Sequence, residues 1–149
     1  MEKEASYTIR DYWAADYPHV ADIWERTGIS TPGRGDTAEV IENTLRRSGR
    51  LLVLVDKASD TVIGTSWLTN DGRRLHLHHF AIDPKFQGGG FSKPLLRESL
   101  RIAKETGLQI KLEVHRDNER AIHYYTKAGF QRLGDYDVYI IRDLNEIKE

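Results

Sequence analysis

The sequence predicts a mixed α/β (α+β) fold in which helices cover one sheet. Apolar runs of strand length alternate with segments of helical spacing, in the order β-α-α-β-β-β-α-β-α-β-β. Three consecutive glycines, Gly88–Gly90, separate one of these strands from the helix that follows it. The chain has 149 residues and no repeats, so a single domain over residues 1–149 is expected.

The N-terminal part is expected to form one strand and two helices. Tyr7–Arg10 has the pattern of a short strand, and Asp16 can cap the first helix. That helix has an apolar stripe at helical spacing, formed by Val20, Ile23, Trp24 and Thr27. Asp36 followed three residues later by Glu39 is typical of a capping box, which predicts the start of the second helix.

The remaining elements follow from the same two periodicities. Strands are expected at residues 51–55, 61–68 and 75–82, with a hairpin signal at residues 70–72. A helix over roughly residues 92–106 ends at Gly107, and Ile110–Val114 is the next strand. A short helix carries Ala121, Tyr125 and Ala128 on one face, and strands are expected at Phe130–Leu133 and Tyr136–Arg142.

Composition excludes several classes of protein. The formal net charge of −1 provides no basic surface for nucleic acid or an anionic membrane. No apolar run approaches the ~20 residues that span a bilayer, and the first residues do not resemble a signal peptide. The absence of cysteine excludes disulfides, thiolate metal sites and a cysteine nucleophile. The cytoplasm is therefore the expected location.

The most informative segment is the glycine-rich loop Gln87-Gly88-Gly89-Gly90-Phe91-Ser92. Its glycines leave backbone N–H groups uncovered, and the helix that follows adds unpaired amides and a positive dipole end. This combination favours binding of a phosphate group. The loop does not supply the Walker A pattern, and Lys93 stands where a dinucleotide motif has its third glycine.

Three segments resemble motifs of the GNAT acyltransferase superfamily and together cover residues 75–133. Gln87-x-x-Gly90-x-Ser92 resembles the family's pyrophosphate motif Q/R-x-x-G-x-G/A, with serine at the last position as a departure. Phe80-Ala81-Ile82-Asp83-Pro84 is similar to the strand that precedes that motif. Leu112-x-Val114-x-x-x-Asn118-x-x-Ala121-x-x-x-Tyr125-x-x-x-Gly129-Phe130 resembles the family's second motif.

The resemblance implies a GNAT-like fold, a mixed and mostly antiparallel sheet of about six to seven strands with about four helices. It also implies acetyl-CoA as cosubstrate, with the pyrophosphate on the loop amides and the pantetheine arm along the preceding strand. Asn118 could contact this cofactor or only cap its helix. The expected cofactor-binding residues are Phe80, Ala81, Ile82, Gln87, Gly88, Gly89, Gly90, Phe91, Ser92, Asn118 and Tyr125.

The resemblance also suggests the catalytic groups. Tyr125 matches a tyrosine near the thioester sulfur, and a phenol of pKa ~10 can protonate a thiolate of pKa ~8.5. For the base, His78 is the first expectation and His79 the second. Strand alternation predicts that His76 and His78 face one side and His79 the other. His76 and His78 lack an evident third ligand, so no metal is expected.

These observations predict an N-acetyltransferase that moves an acetyl group from acetyl-CoA to a primary amine by direct attack on the thioester. The acceptor is a small-molecule or peptide amine, and a protein N-terminus or lysine is an alternative within this class. A non-catalytic acyl-CoA-binding or sensor domain is the alternative outside it. The resemblance places the acceptor pocket at the first two helices and the loop near residues 29–36, where Trp13, Trp24 and Trp67 line it or belong to the core. A homodimer is left open, with Tyr136–Arg142 as its pairing strand.

Overall fold

The computed structural model describes residues 5–30 and 34–148, which divide into two compact units, one ending at Glu113 and one starting at Val114. The first unit contains β1 (Tyr7–Asp11), α1 (Tyr17–Arg26), α2 (Ala38–Arg46), β2 (Arg50–Asp56), β3 (Thr61–Asn70), β4 (Arg74–Ile82), α3 (Ser92–Thr106) and β5 (Gln109–Leu112). The second contains α4 (Glu119–Lys127). Single 3₁₀ turns occur at Ala14–Asp16, Pro84–Phe86 and Leu144–Glu146. The single domain over residues 1–149 stays a prediction.

One five-stranded sheet organises the first unit, in the order β1-β2-β3-β4-β5. The first three pairings are antiparallel, and β5 alone pairs in parallel with β4. The predicted α/β class with a mixed, mostly antiparallel sheet and four helices is confirmed, but the described residues contain five strands rather than six or seven. None of the helices in the described ranges is both long and apolar enough to cross a membrane.

The two strands predicted at Phe130–Leu133 and Tyr136–Arg142 are wrong, because both segments are irregular in the structure. The second segment is rich in branched and aromatic residues, yet Tyr139 is 92% exposed and Ile140 is 69% exposed. A period-two pattern stabilises a strand through packing against cross-strand and same-face neighbours. The pattern alone is therefore insufficient, and the proposed dimer-pairing strand is not present as a strand.

The core of the first unit lies between the sheet and the first two helices. The apolar run of β2 is buried along its whole length, as its lack of alternation predicts. Three residues of the predicted stripe of α1 are inside, since Val20, Ile23 and Trp24 are each 1% exposed or less. The fourth, Thr27, is half-buried and follows the last residue of the helix. Trp24 stacks on Trp67 with ring centroids 5.4 Å apart. Both of these tryptophans belong to the core, whereas Trp13 is 61% exposed.

Both predicted helix caps differ from the observed ones. Asp16 precedes α1, but its carboxylate accepts hydrogen bonds from the Arg10 guanidinium at 2.7 and 3.0 Å and from the Trp13 amide at 2.8 Å. At α2 the capping group is Thr37, whose hydroxyl accepts from the Val40 amide at 3.2 Å. The predicted capping box from Asp36 is therefore wrong by one residue, and the Asp36 carboxylate is available for a different contact.

A bulge interrupts the pairing of β3 with β4. Thr65 pairs with Ala81 and Trp67 pairs with His78, so two residues of β4 oppose one residue of β3. One of these two is His79, whose φ of 46° lies in the left-handed region. Histidine enters this region more readily than branched residues do, but the conformation still costs energy and usually needs support from its surroundings.

Candidate active site

The glycine-rich loop is held at its start by a buried carboxylate. Asp83 follows β4 directly and accepts two hydrogen bonds from the Arg26 guanidinium at the end of α1, at 2.9 and 2.7 Å. The same carboxylate accepts from the Lys85 amide at 2.9 Å. The Gln87 side chain donates to the Ile82 carbonyl at 3.1 Å. The loop therefore leaves the sheet in a defined direction.

The loop itself has the backbone of an anion site. Gly88 and Gly90 have φ of 82° and 81°, and no atom lies within 4 Å of a Cβ placed at either position. A Cβ at Gly89 would lie 2.8 Å from the Phe91 ring, so a larger residue there would require that ring to move. Ser92 is the first residue of α3, and Phe91 provides no side-chain cap for that helix. Exposed amides before an uncapped helix start fit a phosphate group.

β4, the strand before this loop, extends past the end of its neighbour β5. β5 pairs with β4 only between Arg74–Leu77 and Gln109–Leu112. From His78 to Ile82, β4 continues beside β3 while β5 has already ended. The segment predicted to contact the pantetheine arm, Phe80–Ile82, lies in this part of β4. An extended ligand can add to such a strand by main-chain hydrogen bonds.

His79 makes a close contact with a carboxylate that is distant in sequence. Its Nε2 lies 2.8 Å from Oδ2 of Asp36, in the segment before α2. The Ser30 hydroxyl donates to the same oxygen at 2.9 Å. The two side chains are largely enclosed, with 16% of His79 and 20% of Asp36 exposed. The arrangement gives the imidazole a fixed orientation and a carboxylate partner for one of its ring nitrogens.

The aromatic core holds the same imidazole from the other direction. The ring of Trp24 meets the His79 ring edge-on with centroids 4.5 Å apart, and Trp67 does so at 5.2 Å. Trp24 Nε1 donates to the buried Thr65 hydroxyl at 2.9 Å, and that hydroxyl donates to the His79 carbonyl at 2.7 Å. This relay supports the left-handed backbone of His79.

His78, the first expectation for the base, has a different environment. Its Nε2 lies 2.9 Å from the Thr69 hydroxyl. Burial, together with the neighbouring His76 and His79, lowers the pKa of His78 to about 4. An imidazole with that pKa is neutral and weakly basic at neutral pH, whereas an effective base titrates near the working pH.

The described residues contain no group of three or more histidine or acidic side chains that could hold a metal ion.

The predicted alternation of the histidines is wrong at the bulge. His76 and His78 do share a face, with ring centroids 5.4 Å apart. However, the rings of His78 and His79 both reach Trp67, at 6.2 and 5.2 Å. The extra residue and the left-handed φ of His79 break the period of two, so neighbouring side chains approach the same tryptophan.

The remaining predicted residues lie in the second unit. Asn118 caps α4, because its side-chain oxygen accepts from the Ala121 amide at 3.3 Å. Tyr125 lies on α4 and packs edge-on to Phe130 with ring centroids 5.7 Å apart. Burial, and secondarily the neighbouring Tyr124, raises the pKa of Tyr125 to about 12. The phenol therefore stays protonated through neutral pH.

Two further residues of this site, Asp36 and Thr65, are not predicted from the sequence. Asp36 has a local explanation as a helix cap, and Thr65 lies inside a strand pattern with no distinguishing feature. Both act through partners that are distant in the chain, 43 residues away for Asp36 and 14 for Thr65. The one available signal is that Thr37, directly after Asp36, is also a favoured cap residue. Residues 31–33 of the predicted acceptor loop lie outside the described part of the chain.

These features define an α/β protein in which a glycine-rich loop follows a strand that extends past the end of its neighbour. The sequence profile described as the acetyltransferase (GNAT) family matches residues 8–130. The chain therefore belongs to the acetyltransferase (GNAT) family, which confirms the resemblance found in the sequence.

Two relatives are similar to parts of the chain. N-alpha-acetyltransferase RimI of Mycobacterium tuberculosis is 35% identical over 82 residues, which cover 52% of this chain and 51% of the relative. Mycothiol acetyltransferase of Propionibacterium freudenreichii is 38% identical over 85 residues, covering 54% of this chain and 27% of the relative. The chain thus spans about half the length of the first and about a quarter of the second.

Solved structures share the fold. An acetyltransferase from Streptococcus agalactiae aligns with a TM-score of 0.74 and 20% identity, covering 91% of this chain and 92% of the other. PaiA N-acetyltransferase from Thermoplasma acidophilum in complex with coenzyme A aligns with a TM-score of 0.70 and 24% identity, covering 85% and 91%. At these identities the likeness shows the fold.

Proposed function

We propose that this protein is an acetyl-CoA-dependent N-acetyltransferase that acts on a primary amine. The observation that carries the proposal is the glycine loop with its positive-φ glycines, directly after a strand, β4, that extends past the end of β5. Family membership supports it, as do the named activities of the RimI and mycothiol relatives. The coenzyme A complex of PaiA supports the choice of cofactor.

The loop would hold the pyrophosphate of coenzyme A through the amides of residues 87–92, and the Phe80–Ile82 segment of β4 would accompany the pantetheine arm. Asn118 is kept as a further cofactor contact in addition to its capping role. When bound, acetyl-CoA supplies an acetyl group activated as a thioester. Hydrogen bonds from amides to an ionised phosphate are stronger than neutral ones, which favours this group over an uncharged ligand.

The reaction that we propose is a direct transfer. The amine nitrogen forms a bond to the acetyl carbon, the carbon–sulfur bond breaks, and coenzyme A leaves as the thiolate. The nitrogen must lose one proton, and the sulfur is stabilised by gaining one. No covalent acyl-enzyme is required, in agreement with the absence of cysteine from the sequence.

For the base we favour His79 over His78. The low pKa of His78 makes it a weak proton acceptor, and its Nε2 contacts the Thr69 hydroxyl. His79 has a carboxylate partner, a fixed orientation and partial exposure. These properties are those of a positioned general base, while His78 suits a structural role in the sheet.

For the acid we propose Tyr125. A pKa near 12 keeps its phenol protonated, but it also makes the phenol a weaker acid than a thiol of pKa about 8.5. Tyr125 therefore acts as a hydrogen-bond donor that stabilises the departing sulfur, rather than as an acid that transfers its proton completely.

The acceptor is proposed as a small-molecule or peptide amine, with a protein N-terminus favoured by the name of the RimI relative. A cytoplasmic location and a homodimer remain predictions from the sequence. The test is release of free thiol from acetyl-CoA with a panel of amino acids, polyamines, peptides with free N-termini, and peptides with lysine. Turnover that is lost in Tyr125→Phe supports the proposal.

A second measurement separates catalysis from binding alone. Coenzyme A at saturating concentration should raise the melting temperature of the wild-type protein, because it binds the folded state. Stabilisation by coenzyme A without turnover on any amine would favour the sensor alternative. The absence of both stabilisation and turnover would contradict the proposed cofactor.

A further inference from the structure

We propose that Asp36 is the positioning residue for His79, so that the proton acceptor of the reaction is an aspartate–histidine pair assembled from two distant parts of the chain. The inference rests on the proposed function, and it adds a residue that no sequence motif indicates. Its basis is the 2.8 Å contact between His79 Nε2 and Asp36 Oδ2, together with the groups that enclose this contact.

The contact determines which ring nitrogen carries the proton. An ionised carboxylate only accepts hydrogen bonds, so Nε2 of His79 must donate to Asp36. The neutral ring then has its lone pair on Nδ1. Among residues 5–30 and 34–148, no group makes a hydrogen bond to Nδ1 of His79. The pair therefore leaves Nδ1 as the basic nitrogen of the ring and keeps Nε2 occupied.

The carboxylate is itself held in place. Oδ2 of Asp36 also accepts from the Ser30 hydroxyl at 2.9 Å, and the Asp36 main-chain carbonyl accepts from the Tyr17 hydroxyl at 3.3 Å. These contacts join Asp36 to the first residue of α1 and to the segment that follows this helix. A carboxylate that is already held by a hydroxyl, on a main chain that is also hydrogen-bonded, loses little further freedom when it orients an imidazole, which is the requirement for a positioning group.

The imidazole is constrained on its other sides by the protein core. Trp24 and Trp67 pack against its ring, and the Thr65 hydroxyl binds its carbonyl. The left-handed φ of 46° turns the side chain away from where strand alternation would direct it. Backbone strain of this kind is unfavourable by itself and clusters at functional sites. The strain is explained if its result, the meeting of His79 with Asp36, serves the chemistry.

The pair has a simple role in the transfer. Nδ1 of His79 takes the proton that the amine loses as its nitrogen bonds to the acetyl carbon, and the ring becomes an imidazolium. The carboxylate of Asp36 stabilises that positive charge through the Nε2 hydrogen bond and keeps its own charge throughout. The proton is later returned to solvent, so the pair is restored.

The first test compares variants of Asp36 in the thiol-release assay. Asp36→Asn has nearly the same shape, but its amide can also donate to Nε2, which favours the wrong tautomer. A positioned base contributes about 10²–10⁴-fold, so kcat in Asp36→Asn is expected to fall by roughly 10- to 100-fold with a smaller change in KM. Asp36→Glu restores the carboxylate and should recover part of kcat. Glu39→Gln, an exposed carboxylate in the next helix, is the matched control and should retain kcat.

The second test observes the tautomer directly. Nitrogen-15 NMR of histidine-labelled protein distinguishes protonated from unprotonated ring nitrogens, and His79→Gln assigns the signal among the six histidines. In the wild type the neutral ring should carry its proton on Nε2, and in Asp36→Asn the population should shift towards Nδ1. A shifted tautomer shows that Asp36 sets the position of the ring proton, and a parallel fall in kcat shows that this position matters for the reaction.

The outcomes separate the inference from the proposed function. A lower kcat with a shifted tautomer, partly rescued by glutamate, supports the pair. If Asp36→Asn has the kcat of the wild type, or if its His79 tautomer is unchanged, the positioning role of Asp36 is overturned. The proposed acetyltransferase activity is not affected by that result. Wild-type protein that is stabilised by coenzyme A but acetylates no amine overturns the proposed function, and the NMR experiment still tests the pairing itself.

Discussion

Arg26 and Asp83 are 57 residues apart in sequence and are joined by two parallel hydrogen bonds of 2.9 and 2.7 Å. Arg26 is the last residue of α1, and Asp83 is the first residue after β4. The contact therefore joins the helix that carries Trp24 to the start of the glycine loop. The planar guanidinium fits a carboxylate in two-point contact, which a lysine could not reproduce.

The first prediction concerns the pH dependence of stability at this contact. Hydrogen bonds from Arg26 lower the pKa of Asp83, since they favour the charged carboxylate. A lowered folded-state pKa contributes stability that is present above the unfolded pKa, about 3.9, and is lost as pH falls through the folded value. The urea concentration at the unfolding midpoint should therefore be lower for Asp83→Asn than for the wild type at pH 7. The difference between the two midpoints should be smaller at pH 3.

The control for this prediction is Asp22→Asn. Asp22 also contacts Arg26, at 2.8 Å, but its side chain is 59% exposed. Exposed ion pairs contribute little, so this variant should stay close to the wild type at both pH values. A stability difference for Asp83→Asn that is the same at pH 7 and pH 3 would contradict the assignment.

The second prediction concerns Thr65, whose hydroxyl accepts a hydrogen bond from Trp24 and donates one to the carbonyl of His79, the residue with the left-handed backbone. Thr65→Val has almost the same shape but leaves the buried Trp24 Nε1–H without its acceptor. An unsatisfied buried donor costs about 1–3 kcal/mol, so the free energy of unfolding in urea should fall by about that amount. Activity should fall as well, because the His79 carbonyl loses a hydrogen bond.

Thr65→Ser is the matched variant, since it removes a methyl group and retains the hydroxyl. It should keep most of the thiol-release activity. If the valine variant is as active and as stable as the serine variant, then the hydroxyl relay does not support the bulge.

The third prediction separates the two histidines. His79→Gln should lower kcat by about 10²–10⁴-fold, because it removes the proposed base. His78→Gln should lower kcat by less than about tenfold, because an imidazole whose pKa is near 4 contributes little proton acceptance at neutral pH. Steady-state thiol release measures both variants. A larger loss of kcat in His78→Gln than in His79→Gln would indicate that His78 is the base, as the sequence favoured first.

The fourth prediction tests the proposed cofactor loop with two glycines that share the same left-handed conformation. Gly90 and Gly72 have φ of 81° and 83°, and no atom lies within 4 Å of a Cβ placed at either of them. Alanine at either site costs roughly 1–2 kcal/mol for a left-handed conformation. Only Gly90→Ala should also lose stabilisation by coenzyme A in a thermal melt, since Gly72 lies in the β3–β4 hairpin. Equal stabilisation of both variants would argue against the loop as the pyrophosphate site.

Much of the fold could be predicted from local patterns. The helix predicted over residues 92–106 is observed as Ser92–Thr106, with Gly107 at its end in a left-handed conformation. The buried run of β2 and the stripe of α1 were also correct. Local signals succeed here because capping, glycine conformation and periodic burial act within a few residues. The terminal strands failed because a strand also requires a partner, which a local pattern does not supply.

The candidate site, like the fold, could be predicted only in part from the sequence. The glycines of the loop from Gln87 to Ser92 largely determine its backbone conformation, so the sequence alone indicated a phosphate-binding loop. The family resemblance then indicated coenzyme A as the ligand. His78 and His79 were found as candidates because both lie on the strand before that loop. Their ranking depended on burial and partners, which composition and spacing do not contain.

The sequence by itself determined the α/β class, the family and the candidate cofactor loop, since each depends on residues that are close in the chain. Only the tertiary structure decided that Asp36 meets His79. That meeting needs a one-residue bulge in β4, a left-handed histidine and a cap at Thr37 that leaves the Asp36 carboxylate available. A bulge changes the direction of every side chain beside it, so no rule of alternation could have placed the two groups together.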